Sequence, residues 1–298
     1  MQTPVVKKTK SNFPYIESPV YHTAKGTPYL RGPGVVLISM PAVDIRGMEN
    51  FLGGFNKDLG FEEYLEDPDE LPPPEQLCKT AGQLCYMSFG LKRTKNSEAQ
   101  KYLNHLKESG HGSVFEHANF SFLLYGISRS LTHELVRHRA GTAYSQVSQR
   151  YVSSEVLRFV ERPEYQQDEN LHKEFEARID NVTSKFNSLC EILSNQQERG
   201  DTIFNANAKT DLRKKIQQCA RSILPNETEA PIIMTANARA WRHIIETRTS
   251  ASTDIEIRIL FYRVYLCLKE VTPRLFSDYT PIELQDGTIS LYTKWSKI

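Results

Sequence analysis

The sequence predicts a mixed α/β protein of the α+β kind, carried by one main domain. Strand-like apolar runs are few, amphipathic helical runs are several and long, and no internal repeat or low-complexity tract divides the 298 residues. A chain of this length, 39% hydrophobic and 24% charged, can bury a substantial core.

Residues 1–33 are polar and end among Gly26, Pro28, Gly32 and Pro33, which predicts an irregular arm, wrapped on a neighbour or mobile, ahead of a single domain over 34–298. In "GVVLISMPA", Val35, Val36, Leu37 and Ile38 form a short apolar run and read as the first buried strand. The acidic, triple-proline stretch "EDPDELPPPEQ" at 66–76 reads as a loop, because proline suits neither a helix interior nor a central strand. "SEAQKYLNHLKESGHGS" predicts a helix stopped by Gly110. "NFSFLLY" at 119–125 alternates Phe120, Phe122 and Leu124 with other residues, the period of a strand. "SRSLTHELVRHRAG" then predicts a helix capped by Ser128 or Ser130, with Leu131 and Leu135 on one face and Gly141 at its end. Steps of three and four from Leu171 through Phe175, Ile179, Val182, Phe186, Leu189 and Leu193 predict a long amphipathic helix ending near Gly200. A last long helix carries Ile255, Ile259, Tyr262 and Leu266 on one face and stops near Pro273.

Charge and cysteine usage narrow the function classes. With 37 basic and 36 acidic residues the formal net charge is +1, so the chain lacks the basic excess of a general nucleic-acid binder and any basic patch is local. Five cysteines without a CxxC pair argue against a disulfide framework or a structural zinc site. No apolar run approaches a membrane span and the first residues lack the apolar stretch of a secretion signal, so a reducing, cytoplasmic setting with no membrane partner is expected.

The densest polar chemistry lies in "RHRAGTAYSQVSQRY" at 137–151. On a continuous helix Glu134, Arg137 and His138 would share a face, and the cations would sit in the last turn, where the helix dipole favours them. Dipole compensation explains one or two cations. It does not explain the continuing polar series Ser145, Gln146, Ser148 and Arg150, read as a loop surface. Arginine forks match phosphate oxygens and hydroxyl or amide groups complete such cages, so anion binding is the preferred reading. Zinc is not: His133 and His138 are five apart, His111 and His117 six apart across a strand-like turn, and neither pair forms the HExxH pattern. No GxGxxG or GxxxxGK[ST] loop occurs either.

Downstream, Arg221 in "CARSILP" precedes a turn at Pro225, and in "TANARAWRHIIETR" a cap at Asn237 would place Arg239 and His243 on one helical face, with Arg248 more than two turns on. Arg242 is expected to be a solvated cation and Cys219 a buried thiol. In "GHGSVFEH", Ser113, Glu116 and His117 read individually as turn and capping groups.

Together these segments resemble the flavin-dependent thymidylate synthases. The signature is RHR, a gap of seven or eight residues and Ser; here Arg137-His138-Arg139 is followed after eight residues by Ser148, then Gln149-Arg150-Tyr151. "GHGSVFEH" is similar to the family's GHxSxFEH segment, "ARSILP" to ARxxLP and "TANARAWRHIIETR" to TxNAR…R, all in the family's order over about residues 78–276. The resemblance implies a central, mainly antiparallel sheet with long flanking helices, and a homotetramer whose active sites are shared between subunits. It implies FAD as cofactor, NADPH and methylenetetrahydrofolate as co-substrates, and methylation of dUMP at C5 to dTMP. Carried across by motif, Ser88, His111, Ser113, Arg137, His138, Arg139, Gln146, Asn237, Arg239 and His243 fall at flavin positions. Glu134, Arg137, Gln146, Ser148, Gln149, Arg150, Arg221 and Arg248 fall near dUMP, with Arg248 the catalytic cation and no enzyme cysteine required. Many members carry Asn-Glu where Ser145-Gln146 stands and Gln where Glu134 stands, and the arm, the 66–76 stretch and 200–215 are longer than the family minimum. A flavoenzyme transferring another one-carbon group, such as hydroxymethyl, to a pyrimidine nucleotide is the nearest alternative. A nucleic-acid module using the arginines with Tyr144 and Tyr151, and a structural oligomer without activity, are the others; the neutral net charge weighs against the first and the full set of arginines against the second.

Overall fold

The computed structural model describes residues 4–151, 153–199, 204, 209–296 and 298. In chain order, β1 (Lys7–Lys8), β2 (Pro14–Ile16), β3 (Val20–His22), β4 (Pro28–Leu30) and β5 (Gly34–Ser39) precede α1 (Glu49–Gly53), α2 (Pro73–Cys85) and α3 (Ala99–Glu108). Next come β6 (Asn119–Tyr125), α4 (Arg129–Leu135), β7 (Thr142–Gln146), β8 (Phe159–Val160), α5 (Glu169–Glu198) and α6 (Lys209–Ala220). The chain closes through β9 (Ile232–Asn237), α7 (Ala238–Arg248), α8 (Ile255–Val271), α9 (Pro273–Phe276), β10 (Thr280–Glu283) and β11 (Ile289–Tyr292).

The main sheet runs β1-β2-β5-β6-β9-β7, and every pairing in it is antiparallel. This is the mixed α/β architecture with an antiparallel centre and long helices that the sequence implied. The alternation in β6 sends Phe120, Phe122 and Leu124 to full burial, each contributing about 1.5–3 kcal/mol of hydrophobic stabilisation. Phe122 meets Trp241 of α7 edge-on at 5.2 Å and Phe120 meets Phe276 at 6.5 Å, while α8 packs across β2 and β5. The periodic helices form as expected: Asp168 caps α5 by accepting from the Asn170 and Leu171 amides, and Asp254 caps α8.

Five expectations need correction here. The N-terminal stretch is not irregular: β1 and β2 extend the main sheet, and β3 and β4 join β8 in a small three-stranded sheet. The triple proline opens a helix instead of forbidding one. Pro72 is the N-cap of α2 and Pro73 and Pro74 occupy its first turn, where a missing N–H costs nothing. The Ser128-capped helix stops at Leu135, six residues before Gly141, so the RHR run lies beyond it. The carbonyls at that end are taken by side chains of the following strand: Tyr144 Oη donates to Leu135 O (3.1 Å) and His138 O (2.9 Å), and Thr142 Oγ1 to His138 O (2.8 Å). Ser145 and Gln146 accordingly belong to an edge strand of the main sheet, not to a loop. Finally, His111 and His117 are separated by a 3-10 turn, Gly112–Glu116, and not by a strand-like one. Most of the 200–208 stretch lies outside the described residues.

Candidate active site

Two of the motifs meet at one end of the sheet. β9 hands directly into α7, and Asn237 caps that helix by accepting from the Ala240 amide at 2.8 Å. The Asn237 amide in turn donates to Gly141 O at 3.2 Å, which fastens the RHR turn to the helix start. Gly141 has φ +67°, and a Cβ there would stand 2.5 Å from Asn237 Nδ2, so only glycine permits this approach. Between the two motifs opens a cavity of about 700 Å³. Arg137, His138, Arg139, Asn237, Arg239 and His243, six of the predicted flavin positions, line it.

Glu116 also lines the cavity and accepts from Arg239 Nη1 at 2.6 Å. The sequence treated Glu116 as a capping group; its only signal was membership of the motif "GHGSVFEH". Three arginines against this one lining carboxylate leave the wall cationic, which suits a polyanionic ligand.

Behind the wall, Arg248 at the end of α7 joins the two motifs chemically. Its Nε donates to His138 Nε2 at 2.8 Å, Nη1 to Glu134 Oε2 at 3.1 Å and Nη2 to the Glu134 carbonyl at 3.2 Å. Burial, then the Arg248 charge, then His243 hold the His138 imidazole down to about 4. His138 is therefore neutral at physiological pH, and because guanidinium only donates, its Nε2 is the acceptor and its proton sits on Nδ1. Long-range proton–nitrogen NMR should find the Nδ1–H tautomer unchanged down to about pH 5; a His138 titrating near its ordinary value would contradict this geometry.

The other predicted positions are placed elsewhere. Among the described residues, the cavity lining does not include Ser88, His111, Ser113, Gln146, Ser148, Arg150 or Arg221. Ser88 sits on a loop fixed by Gln83, whose carbonyl accepts from the Ser88 amide at 2.9 Å. His111 stacks on Tyr86 at 6.3 Å, immediately before the buried Gly112. Gln146 Nε2 donates to Thr132 Oγ1 at 3.0 Å, Gln149 lines a second cavity, and Arg150 lies over the Tyr151 ring at 5.7 Å. Arg221 opens the 3-10 turn after α6, ahead of Pro225 as expected.

Two side chains differ from their sequence readings. Arg242 is not solvated but 2% exposed, its guanidinium clasping Asp278 through two 2.7 Å hydrogen bonds. It lies on the core side of α7, a turn from Arg239 on the cavity side. Cys219 is exposed, not buried, because it falls outside the arc of α6 that buries Ile216, Gln217 and Ala220.

The antiparallel sheet, the capped helix and the cation-lined cavity between that helix and the RHR turn define a protein whose cavity suits a large anionic ligand. A family model described as "Thymidylate synthase complementing protein" matches residues 68–274. The flavin-dependent thymidylate synthase of Corynebacterium diphtheriae is 38% identical over 216 residues, which cover 72% of this chain and 82% of that protein. That of Mycobacterium tuberculosis strain H37Ra is 40% identical over 237 residues, 76% of this chain and 92% of that one. The chain belongs to the flavin-dependent thymidylate synthase family.

Proposed function

We propose that this chain is a flavin-dependent thymidylate synthase, converting dUMP to dTMP by reductive methylation at C5 with methylenetetrahydrofolate and NADPH. The observation that carries this reading is the convergence of the RHR and TANAR motifs on one cavity, joined through the Arg248–His138–Glu134 contacts.

The residues present fit FAD. The lining arginines offer bidentate donors for a pyrophosphate, and Asn237, held against Gly141, brings a further polar group to the same wall. Arg137, Arg139, Arg239, Asn237 and His243 would hold the cofactor, with Ser88, His111, Ser113 and Gln146 completing its site. The flavin, once bound, supplies the redox chemistry of the reaction. Arg248 faces the nucleotide. Three of its five N–H groups are engaged by His138 and Glu134, and the other two have no partner among the described residues. A fixed guanidinium there stabilises the negative charge that develops on the uracil ring as C5 becomes nucleophilic. Glu134 and the neutral His138 hold its plane, so little reorganisation accompanies the chemical step.

Ser148, Gln149, Arg150 and Arg221 are assigned to dUMP, reaching it from neighbouring subunits of a homotetramer. Residues 34–298 form the catalytic domain, whose main sheet the arm extends with β1 and β2, and the enzyme works in the cytoplasm. Among the described residues no helix is long and apolar enough to cross a membrane.

A spectroscopic titration tests the reading. The purified chain should take up FAD, and dUMP should perturb its visible band; no uptake under any condition would defeat the proposal. Arg137→Ala should weaken FAD binding about 10–100-fold, the cost of one charge-assisted contact, while leaving the fold intact. A variant that stays fully loaded after extensive dialysis would remove Arg137 from the flavin site.

A further inference from the structure

The family match ends at residue 274, yet the cavity wall does not. Ser296 and Ile298 line it beside Arg239, and Ile298 is 7% exposed and packed in the main hydrophobic core. The residues that lead to them are fixed at several points. Within the β10–β11 hairpin, the Leu291 amide donates at 3.0 Å to the hydroxyl of Thr249, the neighbour of Arg248. Thr293 Oγ1 donates to Asp278 Oδ2 at 2.6 Å and accepts from the Trp295 amide at 3.2 Å. The Trp295 ring lies 5.1 Å from the buried Lys107 ammonium and 4.5 Å from that of Lys294.

Gly112 gives an independent sign that this placement is built in. Its φ lies outside the left-handed region, so the backbone does not require glycine there. Space does: a Cβ would stand 2.6 Å from the main-chain carbon of Ile298 and 2.8 Å from Arg239 Nε. The motif GHxSxFEH leaves this position open, and in this chain it carries the one residue that lets the last segment reach the cavity.

We propose that residues 293–296 and Ile298 form a fixed wall of the flavin cavity, closing it beside Arg239 and setting how long FAD stays bound. The inference rests on the assignment of this cavity to FAD. Ser296 supplies a polar group and Ile298 an apolar surface to the ligand, while Asp278 and Thr249 hold the segment that carries them. Wall residues of this kind act on dissociation more than on association.

The test follows FAD release by the return of free-flavin fluorescence, for the intact chain, a chain truncated after Trp295, Ile298→Ala and Gly112→Ala. Truncation should speed release about tenfold with association changed less than about twofold. Ile298→Ala, which keeps the main chain, should speed release about threefold and guards against a truncation that fails to fold. Gly112→Ala should also speed release in the intact chain but add much less in the truncated one, because the main-chain clash partner is gone and only the Arg239 side chain remains. Unchanged or slower release from both the truncated chain and Ile298→Ala would overturn the wall alone. A Gly112→Ala effect undiminished by truncation would place the clash wholly at Arg239 and likewise count against it. Failure of the intact chain to take up FAD would instead overturn the assignment of the cavity, and the wall with it.

Discussion

Arg248→Ala should keep FAD bound and lower turnover about 10²–10³-fold, the usual cost of deleting one donor aimed at developing charge. The arginine lies behind the cationic wall and not in it, so flavin retention does not depend on it. Folding should depend on it little: its partner Glu134 has a side chain 44% exposed, and such pairs contribute about 0–1 kcal/mol. A second readout separates electrostatics from simple loss of shape. After burial, the Arg248 charge is the main cause holding His138 down at about 4, so in the variant His138 should titrate higher. Arg248→Lys restores the charge but not the planar fork that reaches both His138 and Glu134, and should recover only part of the loss. Near-normal turnover in the alanine variant, measured as dTMP formed per flavin, would remove Arg248 from the chemistry.

How much of this site was legible in the sequence depends on the range of the interaction. β6, α5 and α8 announce themselves because their burial follows a local period, and Asn237 because a cap acts within three residues. The strands of the arm, two or three residues each, are too short to carry a period and exist only through pairing, β1 with β2 and β3 with β4, and beyond the arm β2 with β5 and β4 with β8. The helix before the RHR run looked longer than it is because Tyr144, a side chain of the next strand, takes its last carbonyl at Leu135, and Tyr144 and Thr142 together take the His138 carbonyl just beyond. The motifs named Arg248 and His138 separately. That they touch, 110 positions apart, is a property of the sheet that brings them together. Arg242 was misread for the same reason. Its counter-charge is Asp278, 36 residues on, and composition cannot reveal a buried pair.

That buried pair carries the largest stability effect expected for a substitution away from the flavin cavity. Asp278 is a node: Oδ1 accepts from Arg242 Nη1 and Lys107 Nζ, and Oδ2 from Arg242 Nη2 and Thr293 Oγ1, all within 2.6–2.7 Å. The side chains of Lys107, Arg242 and Asp278 are only 0%, 2% and 8% exposed, so the two cations have little water to fall back on. Asp278→Asn preserves shape and removes the charge, leaving both cations uncompensated; the expected loss is about 3–5 kcal/mol. In thermal unfolding this should lower Tm by roughly 10 °C. Burial alone would raise the Asp278 carboxyl, but the hydrogen bonds and charge of Arg242, followed by Lys107, hold it at about 2. Its folded value thus lies below the unfolded one, and its contribution to stability is complete above about pH 4 and lost as the pH falls through about 2. The gap between wild type and Asp278→Asn should accordingly be constant from neutral pH down to about pH 5 and narrow between about pH 4 and pH 2. Replacing Arg242 by Met in the Asp278→Asn background should recover part of the loss, because it removes one stranded charge and keeps the volume. A gap that does not change with acid, or a double variant weaker than the single one by the full cost of Arg242→Met, would mean that packing around Tyr279 and Leu275, and not charge, holds this corner together.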